Sequence, residues 1–230
     1  MDTEKRPRLS RAHVLRSAVA LADGAGVEAV TMRSVATDLK VEAMSLYHHV
    51  ANKAQLLDGM VEVVLNEINA AVEPLAAESP TEWKPVLRSR ILVARQILLQ
   101  HPWAPALIGT RSPTMLPLVT YFDAVIGLLR LGGFSYPLTH HAMHALGSRA
   151  LGFTQELFQS AGGQTDEEGI ALLESMADIL PNMAGMIAAE AVHDHGDDNT
   201  TLGWCDDQTE FEFGLDLILD GLERLARQSG

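Results

Sequence analysis

One cysteine, Cys205, stands in 230 residues, so the chain has no partner for an internal disulfide and no thiolates for a cysteine-built zinc site. That usage suits a reducing compartment, and a cytoplasmic protein is expected. Long hydrophobic runs are missing too. Nothing approaches the roughly 18 uncharged apolar residues of a membrane span, and the most apolar early stretch, residues 14–22, carries Arg16 within it. It reads as an amphipathic helix and not as a signal peptide, and no membrane partner is expected. Sustained period-two alternation with β-branched enrichment is absent, which excludes a strand-rich fold. The chain also lacks G-x-S-x-G, a glycine-rich phosphate loop, a Cys–His pair and H-E-x-x-H. No catalytic residue, cofactor or metal is therefore expected, and the protein is not read as an enzyme.

Positive charge is scarce: 17 Lys+Arg stand against 30 Asp+Glu, a formal net charge of -13. On average such a surface repels nucleic acid. The average hides an asymmetry, because residues 1–53 hold eight Lys+Arg and six Asp+Glu, a net of +2. The rest of the chain carries the acid. A weakly basic head on an acidic body is the pattern of a chain that meets a polyanion only through its N-terminal part. The length suits one or two domains, and 47% hydrophobic residues are enough for a core.

Helical punctuation runs from end to end. Ser10 caps a first helix with Val14, Leu15, Ala18, Val19 and Ala22 on one face and Gly24 as its stop. Thr31 opens a short helix through Leu39, a tight connection follows at residues 40–42, and a second short helix covers residues 43–49. Asn52 caps a long connecting helix that Pro74 ends. Ser79-Pro80-Thr81-Glu82 resembles a capping box before a helix to about Gln100. His101-Pro102 stops that helix, residues 101–113 read as turn-rich, and the next helix ends at Gly132-Gly133. Later helices start at Ser135, at Thr165 with Glu168, kinked at Pro181, and at Thr209 with Glu212; residues 193–201 read as a loop. The expected fold is all-α, with about nine to ten helices: a three-helix head over residues 1–52 and a larger body over 53–230, whose residues 53–73 form the connecting helix.

The two short helices and their three-residue joint fit a helix-turn-helix, whose second helix enters the major groove; the same spacing also fits a structural three-helix corner. Ala36 fits the close crossing, and Leu46 and Val50 the buried side. Met44, Ser45, Tyr47, His48 and His49 are left facing outward. Hydroxyls and imidazoles reach phosphates or base edges, and a methionine meets a thymine methyl. Arg33 suits bidentate contact with guanine, and Lys53 a phosphate. Thr31 and Ala43, where the two helices begin, complete the DNA-facing set.

Leu46-Tyr47-His48-His49-Val50-Ala51-Asn52-Lys53, followed by Leu56-Leu57-Asp58, resembles the recognition helix and connector of the TetR family, in particular its tetracycline-repressor branch. Upstream the likeness runs through Thr31, Arg33, Ala36, Leu39, Val41 and Glu42; in the body it includes Gly109-Thr110-Arg111 and residues 211–223. Lys40 departs from the glycine usual at the turn and must stand near the left-handed region, at about 1 kcal/mol. The resemblance implies a homodimer that reads a palindromic double-stranded operator and answers a small-molecule effector. It implies a dimer surface on helices near residues 137–160 and 210–228, with Leu146, Leu151, Phe213, Leu217, Ile218 and Leu222 beside Gly147, Gly152, Gly214 and Gly221; the same residues also suit an internal core.

In that branch the drug sits in the body with magnesium, held by a histidine three residues before the Gly-Thr-Arg threonine. Leu107 stands there in this chain. By the same count Asn69, Arg90, Ala94 and Val125 occupy positions where the branch has His, Asn, Phe and Gln, whereas Thr110 and Glu156 are retained. With Ser148 these are the effector-binding candidates. They suit a mostly apolar effector rather than a magnesium chelate, with Arg90 either an anion contact or the partner of Glu156. His140, His141 and His144, with the loop at 193–198, offer imidazoles and carboxylates, but no H-E-x-x-H accompanies them, and they are read as packed or solvated. The expected function is a ligand-responsive transcriptional repressor. The rival readings are a helical small-molecule binding protein without an operator and a metal-dependent hydrolase.

Overall fold

A computed structural model describes residues 9–111, 114–152, 179–182, 185 and 207–229. The start of the helix expected at Thr165 with Glu168, the loop at 193–201 and candidate Glu156 lie outside the described residues. Among those described, the regular structure is helical throughout.

The head is α1 (Arg11–Ala25), α2 (Met32–Leu39) and α3 (Ala43–Leu46). Ser10 caps α1 by accepting the His13 amide, and Val14, Leu15, Ala18, Val19 and Ala22 are buried. The helix runs one residue past Gly24 and closes at Gly26, whose φ of 80° suits a residue without a Cβ. Thr31 and Ser34 cap α2 reciprocally: each amide donates to the other's hydroxyl, at 2.8 and 3.0 Å. The expected seven-residue recognition helix is shorter. It is α-helical only over Ala43–Leu46, and Tyr47 to His49 follow as a tight turn in which the His49 amide donates to the Leu46 carbonyl at 2.8 Å. Such an i to i+3 bond narrows the last turn, a usual way to satisfy terminal carbonyls.

Asn52 caps α4 (Lys53–Val72) through the Gln55 amide, at 2.9 Å. Helix α1 crosses α4 very closely at Gly59, where a Cβ would come within 2.5 Å of Leu15 Cδ2. The capping box at Ser79 and Glu82 is present and opens a 3-10 turn, Pro80–Glu82, that runs directly into α5 (Trp83–Gln100). The turn-rich reading of residues 101–113 is corrected by a helix, α6 (Ala104–Thr110). Pro105 stands in its first turn, where the missing amide costs no helical bond, so prolines that read as breakers flank and begin a helix. Helix α7 (Leu116–Leu131) ends at Gly132, beside Trp83, whose ring lies edge-on to buried Phe134 at 4.8 Å. Helix α4 packs against α1, α5, α6 and α7, and α5 against α7.

The described chain forms two compact units, one running to His144 and taking in the residues from Glu223 on, the other Ala145–Leu222. In the second, the C-terminal helix (Asp207–Ser229) buries Phe211, Leu215, Leu219 and Leu222. It already covers Asp207, so Thr209 lies inside its first turn instead of capping it, and Glu212 accepts from Gln208 at 2.7 Å. No helix among the described residues is long and apolar enough to cross a membrane.

Candidate DNA-binding site and effector-binding residues

The geometry of the head follows from one strained residue. Lys40 stands at φ 54°, ψ 46°, the sole non-glycine with positive φ among the described residues. The Val41 amide donates back to the Ala36 carbonyl at 3.0 Å. That turn swings α3 across α2, with Val35, Ala36, Leu46 and Val50 buried at the crossing. Buried Ser17 of α1 donates to Asp38 Oδ2 of α2 at 2.7 Å and locks the supporting pair.

Of the expected DNA-facing residues, Met44 is 72% and Tyr47 45% exposed, with His48 exposed beside them. Ala43, Ser45 and His49 are half-buried. Arg33 projects from the first turn of α2 into solvent, and Lys53 is exposed at the start of α4. Thr31 is exposed, but its hydroxyl and amide are engaged with Ser34. The structure thus brings the turn at 47–49, the helix at 43–46 and the N-terminus of α4 onto one stretch of surface chain. Four positioning residues escaped the sequence reading: Ser17, Ser34, Asp38 and Gln55, whose Oε1 accepts the Ala51 amide at 3.1 Å. Ser17 carries a legible signal, a hydroxyl amid the apolar face of α1.

The effector candidates of the first unit sit on four helices: Asn69 on α4, Arg90 and Ala94 on α5, Leu107 and Thr110 on α6, Val125 on α7. Ala94 and Val125 are buried and Leu107 half-buried. Asn69 Nδ2 donates to the Pro117 carbonyl at 2.9 Å, and the Thr110 hydroxyl to that of Leu107 at 3.0 Å. Arg90 is 8% exposed; its Nη1 donates to the carbonyls of Val72 and Leu75, at 3.0 and 2.8 Å, and so closes the end of α4. Its Nε is buried with no hydrogen-bond partner. Burial pulls the guanidinium below its ordinary range while Tyr121 opposes it, and burial pushes the Tyr121 phenol up to about 12. Ser148 is exposed in the second unit. His140, His141 and His144 are exposed, with the first and last rings 4.7 Å apart, and no group of three metal-ligating side chains gathers among the described residues.

Comparison with known proteins gives this arrangement its relatives. The family described as "Bacterial regulatory proteins, tetR family" matches residues 14–60, and "Tetracyclin repressor-like, C-terminal domain" matches residues 77–226. An HTH-type transcriptional regulator of Saccharopolyspora erythraea is 30% identical, over 98% of this chain and 89% of that protein. The class C tetracycline repressor of Escherichia coli is 29% identical, over 95% and 92%. In fold, the chain is similar to ActR of Streptomyces coelicolor, at a TM-score of 0.78 and 24% identity over 98% of this chain and all of that one. The helix-turn-helix head and the helical body are those of a transcriptional regulator, and the chain belongs to the tetR family of bacterial regulatory proteins.

Proposed function

We propose that this regulator is a homodimeric repressor whose head, to residue 52, reads a palindromic operator and whose body, residues 53–230, binds a mostly apolar effector that releases it. The observation that carries the DNA reading is the exposed set Met44, Tyr47 and His48, set beside exposed Arg33 and Lys53 on a turn held by Lys40. An apolar methionine and a phenol left in water suit a groove lined by thymine methyls and phosphates. Arg33 and His49 are assigned to base edges and Lys53 to a phosphate at the α4 N-terminus, where the amides and dipole favour an anion. Thr31, Ala43 and Ser45 frame the contact through the backbone and hydroxyls at the helix starts.

Repression is relieved by population shift. An effector that binds better to the state whose heads are misplaced for successive major grooves lowers operator affinity by that difference, typically about 1–3 kcal/mol. The effector reading is supported by relatives: ActR of Streptomyces coelicolor has been solved with actinorhodin, and a single-substitution variant of TetR from Acinetobacter baumannii with minocycline. Leu107, Ala94 and Val125 supply an apolar lining, and Thr110 and the free Nε of Arg90 supply polar contacts.

Selection of duplexes from a random DNA library, followed by anisotropy titration, tests the assignment. Arg33→Ala or His49→Ala is expected to cost about 1–3 kcal/mol and relax one base pair per half-site, whereas Lys53→Ala weakens all sequences alike and lowers the salt slope by about one. Altered base preference in Lys53→Ala, with none in Arg33→Ala, overturns the roles.

A further inference from the structure

Arg90 of α5 is a buried cation with one edge unused. It is 8% exposed, and both of its hydrogen bonds run from Nη1, to the Val72 carbonyl at 3.0 Å and the Leu75 carbonyl at 2.8 Å. Its Nε, on the other edge of the guanidinium beside Nη2, is buried without a partner. That edge is a side-on fork, the geometry in which arginine takes an oxyanion through two parallel N–H groups. Carbonyl dipoles at the end of α4 suit a cation but bring no formal charge. Among the described residues no carboxylate pairs with Arg90.

Tyr121 of α7 stands close enough to Arg90 that each acts on the other's ionisation, in the sense that favours the charged guanidinium. Burial nonetheless pushes the phenol up to about 12, which keeps it protonated and a hydrogen-bond donor at neutral pH. The residue is half-buried, so it is not sealed in the core. One turn on from each group, on the same helical face, comes a buried apolar residue: Ala94 after Arg90 and Val125 after Tyr121. Helices α5 and α7 pack against each other, and both against α4. A charged fork and a neutral donor thus share apolar surroundings that, among the described residues, supply no anion. A desolvated donor left unmet is costly, more so when it is charged, and an oxyanion accepting from both groups removes that cost.

We propose that Arg90 and Tyr121 form an anion clamp and that the effector is an apolar acid, whose carboxylate or similar oxyanion accepts from the free edge of Arg90 and from the Tyr121 hydroxyl while Ala94 and Val125 meet its apolar part. The clamp rests on the reading of these helices as the effector site and narrows that reading to a class of molecule. A neutral molecule of the same shape fills the apolar lining but leaves the guanidinium unmet, so the clamp selects for charge as well as for size.

Two fluorescent probes titrated into the full chain test it: anilinonaphthalene sulfonate, an apolar anion, and N-phenylnaphthylamine, the same rings without the sulfonate. Both brighten on leaving water. Arg90→Gln is expected to weaken the sulfonate roughly ten- to hundredfold, the range for a hydrogen bond to a charged group, and to leave the neutral probe little changed. Arg90→Lys recovers part of the loss, because it restores the charge without the fork. Tyr121→Phe keeps the ring, deletes one donor and weakens the sulfonate severalfold; it carries the test if Arg90→Gln loses its fold. A merely structural role for Arg90, closing α4, would weaken both probes alike. Equal losses for the two probes, or sulfonate binding unchanged in both Arg90→Gln and Tyr121→Phe, overturns the clamp and leaves the apolar effector site standing. Neither probe bound by the wild type, or both bound undiminished in Ala94→Phe, overturns the effector reading and the clamp together.

Discussion

The Val41 amide donates to the Ala36 carbonyl at 3.0 Å, and the residue that lets it do so, Lys40, is held in the left-handed region at φ 54°. The hydrogen bond sets the angle between the two helices of the hairpin, and the Cβ of Lys40 opposes it. Glycine meets no such opposition. Lys40→Gly is therefore expected to raise stability by about 0.5–1 kcal/mol, after allowance for the greater entropy of the unfolded chain. Denaturant unfolding measures this; a less stable Lys40→Gly would show that the turn is not strained.

The C-terminal helix separates two roles that its sequence runs together. Leu217 is 58% exposed, near exposed Phe213, whereas Leu222 is 6% exposed in the core of the second unit. Leu217→Glu is expected to leave a folded monomer, because it charges a face that only a second copy would cover. Leu222→Glu buries an unpaired carboxylate and is expected to unfold the protein or drive it into aggregates. Light scattering with circular dichroism distinguishes the two, and a DNA-binding dimer carrying Leu217→Glu sinks the proposed interface.

Tetracycline with magnesium is expected not to displace operator, since Leu107 offers the metal nothing and Ala94 and Val125 are apolar. An apolar effector instead raises the melting temperature in proportion to the logarithm of its concentration above Kd. Ala94→Phe separates an open chamber from a packed core. Filling a chamber blocks the effector at little cost, with DNA binding near normal, whereas overpacking costs about 1–3 kcal/mol. Magnesium-dependent release by tetracycline, read by anisotropy of labelled operator, would falsify the apolar reading.

Tyr121 supplies a pH test. Its phenol is pushed from an ordinary 10.0 up to about 12 by burial, with Arg90 acting against the rise. A raised folded value means that the neutral phenol's contribution to stability is whole below the unfolded value and is lost as pH rises through the folded one. Ultraviolet titration should show one of the three tyrosines ionising late, near pH 12, and Tyr121→Phe should delete that step. A titration unaltered in Tyr121→Phe would mean the phenol is not sequestered.

Local chemistry is what the sequence by itself determined. Apolar spacing at 3.6 residues, the hydroxyl and amide caps at Ser10, Thr31, Asn52 and Ser79, and the absence of alternating runs are properties of near neighbours. They sufficed for the all-α fold, the ends of α2, α4 and α5 and the helix-turn-helix itself. The strain at Lys40 followed from the resemblance, which sets a glycine at that turn. Where local signals competed, tertiary packing chose. Prolines 102, 105 and 113 read as a run of turns until burial of Trp103, Ala104 and Ile108 made a helix of the middle. Side-chain partners distant in sequence were decided there as well. Nothing near Arg90 announced that it would close α4 through Val72 and Leu75, and nothing near Asp23 announced His101 and Trp103, nearly eighty residues away. Such pairs exist only once the helices have packed, because a buried donor takes whichever acceptor the packing brings within reach.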